Sequence, residues 1–147
     1  MILLRWSVIF PLAIFWILSC ASVKPVSSDT IQRDLGFTAK RISENRVAAY
    51  SLRDARVGMT GYYYIVDIEG FVVFHPVAVI IGKKFLEDPY IKMILEKKNG
   101  CLREYIKDKE REYLVFFRAI DEREILCLSI PSDEVTGPRE ECLKASE

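Results

Sequence analysis

The sequence has little to build an active site from. It holds one histidine, which excludes a multi-histidine metal site, and it shows no nucleophile–histidine–acid set and no phosphate loop. Catalysis needs convergent titratable groups, so the chain reads as a non-enzyme that calls for no cofactor and no metal. Charge of one sign is also missing: 21 basic residues face 21 acidic ones, and no basic run points to nucleic acid or acidic lipid. Cysteine is sparse, at four residues. Cys101, Cys127 and Cys142 lack the spacing of a metal site; in an oxidising compartment they allow one disulfide and leave an odd thiol. Half of the residues are apolar, enough for one domain with a core but not for two.

The one long apolar run comes first. Arg5 precedes an apolar stretch from Val8 to Leu18, interrupted only by Pro11, and small residues follow at Ser19-Cys20-Ala21-Ser22. A basic start, a short apolar segment and small residues at its end make a secretory signal, and the run falls short of the roughly 20 residues a membrane span requires. Ile17-Leu18-Ser19-Cys20 resembles a bacterial lipobox, in which the cysteine becomes the lipidated first residue. The same stretch also reads as an uncleaved anchor helix from Ile2 to about Val23, with Arg5 snorkelling to the interface. Either way the rest is exported and membrane-tethered, facing the periplasm or the cell surface. The organisation is therefore residues 1–19 as signal, 20–30 as lipidated Cys20 and linker, 31–135 as one domain and 136–147 as a polar tail. Without residues 1–19 the balance is 20 basic to 21 acidic, since only Arg5 is lost.

Asp29 reads as a helix cap, and Ile31, Leu35, Ile42 and Ala49 recur at roughly helical spacing. Gly36 is where this amphipathic helix should bend or break. Its apolar stripe needs a partner, either the sheet that follows or a second helix in a dimer. Tyr62–Val66 and Phe71–Phe74 are aromatic and β-branched runs around Asp67-Ile68-Glu69-Gly70, which is turn chemistry. Alternation sends Tyr62, Tyr64 and Val66 to one face and Tyr63, Ile65 and Asp67 to the other. Both faces should be covered, one by the first helix and the open one by Val77–Ile81, too apolar to remain in water.

After Lys83-Lys84, Asp88-Pro89 opens a second helix that Asn99-Gly100 should end. Three strands follow, Cys101–Lys107, Glu112–Ala119 and Ile125–Ile130, before Pro131 stops the last. The predicted fold is α+β: a long N-terminal helix on a five-stranded antiparallel sheet, with one further helix between the second and third strands.

Gly61, Tyr62, Asp67, Gly70, His75, Pro76, Ile81, Gly82 and Lys83 stand at the spacing G-Y-x-x-x-x-D-x-x-G-x-x-x-x-H-P-x-x-x-x-I-G-K. This pattern resembles the Cache domain, a PAS-like extracytoplasmic sensor module of bacterial chemoreceptors and sensor kinases, over roughly residues 38–135. The resemblance implies a small ligand held between the sheet and its covering loops: a carboxylate, an amino acid or an amine. By motif position it implies Tyr62, Tyr64, His75 and Lys83 as ligand-binding residues. It also implies a receptor or sensor kinase as partner. Two features depart from it: Glu124 stands where an aromatic residue is usual, and Pro131–Glu147 is a polar tail with no second span.

Arg118 joins the candidates on strand geometry, because Leu114, Phe116 and Arg118 share a face and an arginine grips a carboxylate with two N–H groups. Each candidate has a plainer reading. The tyrosines fill a core, His75-Pro76 orders the exit from a strand, Lys83 is solvated, and Arg118 pairs with Glu112 or Glu124. The alternative function is accordingly a structural or protein-interaction lipoprotein whose pocket is filled by its own side chains.

Overall fold

Helix α1, Ser28–Glu44, is set by its cap and its stripe. Ser27 accepts a hydrogen bond from the Thr30 N–H at 3.2 Å, and Ile31, Leu35, Ala39 and Ile42 are buried along one side. The cap is thus Ser27, two residues ahead of Asp29, because Val26–Ser27 (β1) is held in extended form by pairing with β7, Val135–Thr136. Gly36 does not break α1. An added Cβ there would stand 3.8 Å from Arg118 Nε, an ordinary contact, so the helix packs on the sheet without requiring a glycine at this position. Ala49 is buried too, but from a separate turn, Arg46–Leu52, begun by Asn45.

These statements come from a computed structural model, which describes residues 24–137 and 142–144. The expected signal in residues 1–19 and Cys20 lie outside them. No helix among the described residues is long and apolar enough to cross a membrane.

The main elements are β2 (Tyr62–Asp67), β3 (Val72–Phe74), α2 (Pro89–Lys97), β4 (Asn99–Ile106), β5 (Arg111–Ala119) and β6 (Glu124–Pro131). The β2–β3 turn works by the local chemistry of its residues. Asp67 Oδ1 accepts from the Glu69 and Phe71 N–H groups, each at 2.9 Å, and Gly70 takes a φ of 81°. Asp88 caps α2 by accepting from the Tyr90 N–H at 2.9 Å. Lys98, at φ 58°, ends that helix, so Asn99 and Gly100 belong to β4 rather than to the helix stop.

Among the described residues the sheet has six strands, not five, in the order β3-β2-β6-β5-β4 and then a short strand β8, Leu143–Lys144. This extra strand runs parallel to β4 beside Leu102 and Arg103. Its neighbour Cys142 is disulfide-bonded to Cys101, with Cα atoms 4.6 Å apart, which places β8 on the edge and resolves which cysteines pair. Cys127 is the odd thiol, buried in β6.

Both faces of the sheet are covered. Against α1 lie Tyr63, Ile65, Phe74, Leu114, Phe116, Leu126, Leu128 and Ile130. Against α2 lie Tyr64, Val66, Val72, Leu102, Val115, Phe117 and Cys127. The segment after β3 covers less than its composition suggests: Ile80 packs against the α2-side core, whereas Val77, Val79 and Ile81 are exposed. The backbone explains this, since Gly82 N–H donates to Val72 O at 2.8 Å and Val72 N–H to Lys83 O at 3.0 Å, which draws the segment back along the sheet edge.

Candidate functional site

β2 carries the site, and its alternation decides which residues can meet. Tyr62 and Tyr64 share a face, as expected, and that face is the one toward α2. The chain leaves β3 at His75, whose ring meets that of Tyr62 edge-on at 5.2 Å and lies 6.0 Å from that of Tyr64. The two tyrosine rings are 6.2 Å apart. Three of the five residues predicted for the site therefore converge.

The other two do not. Lys83 is exposed on the returning segment, which it joins to β3 through its backbone. Arg118 lies on the opposite face, and strand register gives the reason. Tyr64 stands opposite Cys127, and Cys127 opposite Phe117; Arg118 stands opposite Leu126, and Leu126 opposite Ile65. Arg118 shares its side with Leu114 and Phe116 as expected, but that side faces α1 and Gly36. The carboxylate grip it was to supply is not aimed at Tyr62, Tyr64 and His75. Glu124, at the position where an aromatic was expected, closes its end of the sheet as an ion pair with Arg46.

Sequence reading passed over three members of the α2 side. Tyr90 sits in the first turn of α2, and its hydroxyl is 3.3 Å from that of Tyr64, both residues being buried. Glu104 stands two residues past Leu102 on β4, where its carboxyl interacts with the Tyr90 hydroxyl. Ser129, buried in β6, pairs across the ladder with Tyr62 on one side and Val115 on the other. The signal for Ser129 was available: a hydroxyl inside the apolar run Ile125–Ile130 at the parity of Cys127.

The electrostatics are those of a mostly uncharged cluster. Burial pushes the Tyr64 and Tyr90 phenols well above their ordinary range, so both remain neutral donors and acceptors. Burial likewise lowers the His75 pKa. Nδ1 of His75 accepts the Val77 N–H at 2.9 Å, which leaves the proton of the neutral ring on Nε2. The Glu104 carboxyl is raised, first by burial and then by the nearby charge of Asp88. Among the described residues no group of three or more His, Cys, Asp or Glu side chains is placed to hold a metal ion. Two hollows with described linings lie elsewhere. One of about 320 Å³ is formed by Lys84–Asp88. The other, of about 250 Å³, is formed by Lys24, Gly58, Met59, Arg111 and Glu134 among others.

A helix on each face of a largely antiparallel sheet, with a hairpin leading into an aromatic–histidine cluster, is a Cache-type, PAS-like fold, and comparison with solved structures agrees on the fold. A periplasmic sensor domain of a chemotaxis protein superposes with a TM-score of 0.53 at 16% identity, over 71% of this chain and 94% of that one. The extracellular domains assigned to the histidine kinases mmHK1S-Z3 and mmHK1S-Z2 give TM-scores of 0.51 and 0.50 at 21% and 19% identity. They match 60% and 65% of this chain, which spans only 36% and 38% of their lengths. At these identities the likeness is one of fold. No family model and no curated protein matches the sequence.

Proposed function

We infer that this is an extracytoplasmic small-molecule-binding domain of the sensor type, which takes a small carboxylate, amino acid or amine on the α2 side of its sheet. The observation that carries the reading is the convergence of Tyr62, Tyr64 and His75 beside a segment that exposes Val77, Val79 and Ile81. Aromatic walls with a few hydrogen-bonding groups among them are what a small polar ligand requires, and an exposed apolar segment beside them is material for a cover. Lys83 lies at the foot of that segment with its side chain in solvent, outside the cluster of Tyr62, Tyr64 and His75. A receptor or sensor kinase is the partner that carries the output.

A second reading keeps the fold and fills the pocket. The Tyr64 and Tyr90 hydroxyls, 3.3 Å apart, bond each other and need no ligand. A thermal-shift screen of the purified chain against organic acids, amino acids and amines separates the two. A ligand at about a hundred times its Kd stabilises by about 2.7 kcal/mol, a shift on the order of 10 °C for a domain of this size. No shift with any compound class would favour the filled, protein-interaction form.

The anchor belongs to the same proposal: Cys20 is the lipidated residue and holds the domain at the membrane. Metabolic labelling with a radioactive fatty acid should mark the chain and should be lost in Cys20→Ala. Label that persists in the variant excludes Cys20 as the attachment point.

A further inference from the structure

This inference rests on the Cys20 anchor proposed above and concerns the part of the domain that such an anchor brings to the bilayer. The strand registers define one end of the sheet. Tyr62, the first residue of β2, stands opposite Ser129 near the end of β6, and Tyr113 near the start of β5 stands opposite Pro131. β3 runs back along β2 toward that same end: Phe74 pairs with Ile65, and the next residue, His75, already meets the Tyr62 ring. Val77–Ile81 therefore round this end before Gly82 returns to bond Val72. Glu134, three residues past Pro131, holds the Met59 and Thr60 N–H groups here. Lys24 and Pro25 belong to the same end, since they share the hollow of about 250 Å³ with Met59, Arg111 and Glu134. The Asp67–Gly70 turn, beside Glu124 at the start of β6, is at the other end.

What the Lys24 end exposes is apolar. Val79 is 70% and Met59 61% exposed, and half of Val77 is open as well. Charges at the strand ends cancel. Lys107 and Lys109 stand with Asp108 and Glu110 in the β4–β5 turn, and Arg111 donates to both carboxylate oxygens of Asp133 at 2.8 Å. The four residues from Ala21 to Lys24 span at most about 14 Å. A chain anchored at Cys20 therefore keeps Lys24, and this end of the sheet with it, at the bilayer surface. Apolar side chains held there gain by leaving water for the boundary between headgroups and acyl chains. The tether makes that contact intramolecular, so a few side chains suffice. We propose that the Lys24 end of the sheet is a lipid-contacting face, with Met59, Val77 and Val79 seated in the interfacial layer of the bilayer that holds the anchor. The tether sets the distance of the domain from the membrane, and these side chains set its orientation. Ile68, in the Asp67–Gly70 turn, is then held away from the lipid.

The test reconstitutes the full-length chain, as cells process it, in phosphatidylcholine vesicles doped with a phosphatidylcholine that carries a photoreactive diazirine in its acyl chain. Peptide mass spectrometry after illumination should find lipid adducts on residues 57–61 and 76–81 as well as on those before Lys24, and none on residues 67–70. Added phosphatidylglycerol should change little, because the charges at this end balance. Val79→Asp should lose the adducts on 76–81 and keep those before Lys24; its melting temperature should not move, since Val79 is mostly in solvent. Adducts confined to residues before Lys24 overturn the lipid-contacting face and leave the anchor standing. Equal labelling of 67–70 and 76–81, or labelling of 76–81 only with phosphatidylglycerol, overturns the oriented apolar contact. Cross-links through 76–81 to a second copy of the chain in place of lipid overturn it in favour of a dimer. No adduct anywhere overturns the face and the anchor together.

Discussion

Reduction of the Cys101–Cys142 disulfide lowers the stability of the domain by about 4 kcal/mol. The bond spans 41 residues of sequence, and closing a loop of that length in the unfolded chain removes entropy worth about that much. The loss would be a large share of the roughly 5–15 kcal/mol that holds a typical domain together. The bond also places β8 against β4, so the sheet edge should open before the rest. Urea titration with and without reductant, alongside a Cys101→Ser/Cys142→Ser double variant, measures the effect, and coincident midpoints would refute it. Cys127 is no confounding thiol. Burial pushes its pKa far up, so it resists alkylation in the folded chain.

Phe116→Ala should cost about 3–5 kcal/mol, the range for removing a large buried aromatic ring. Phe116 is wholly buried on β5, opposite Cys101 on β4 and Leu128 on β6, under α1. Phe37 is the same residue type at 63% exposure on α1, and Phe37→Ala should change stability by no more than about 0.5 kcal/mol. Urea midpoints for the two variants decide it; equal losses would mean that burial does not set the cost. Because Phe116 faces Cys101 across the ladder, its loss and the loss of the disulfide should not add.

What could be read from the chain in advance was whatever neighbouring residues decide between themselves. Asp67 and Gly70 make their turn within five residues, and Asp88-Pro89 starts α2 by a bond to Tyr90. The Tyr62/Tyr64 parity followed from β2 alone. What was missed needed distant partners. Ser27 and Asp29 are both good caps, and the choice between them was made by Val135 and Thr136, more than a hundred residues away in sequence. β1, β7 and β8 are two-residue strands, too short to leave a periodic pattern. Arg118 shares its face with Leu114 and Phe116 as the sequence implies, but parity within β5 says nothing about parity relative to β2 until β6 fixes the register between them, and that register sets it opposite the face of Tyr62 and Tyr64. Lys83 was given to the site by motif position, but its backbone pairing with Val72 leaves the side chain in solvent.

The pairing of β1 with β7 also has a mechanical meaning. Residues entering α1 and residues leaving β6 run side by side in parallel, joined over only two positions, Val26–Val135 and Ser27–Thr136. Just before Val135, Glu134 ties the same region to the turn ahead of β2, accepting from the Met59 and Thr60 N–H groups at 2.7 and 3.1 Å. A pull on Lys24 would load that short ladder in shear, and the first turn of α1 with it. The long ladders of β2, β6, β5 and β4 would remain intact. Under tension applied at Lys24 the domain should therefore yield in stages from the β1–β7 end, with the face that carries Tyr62, Tyr64 and His75 among the last parts to give way.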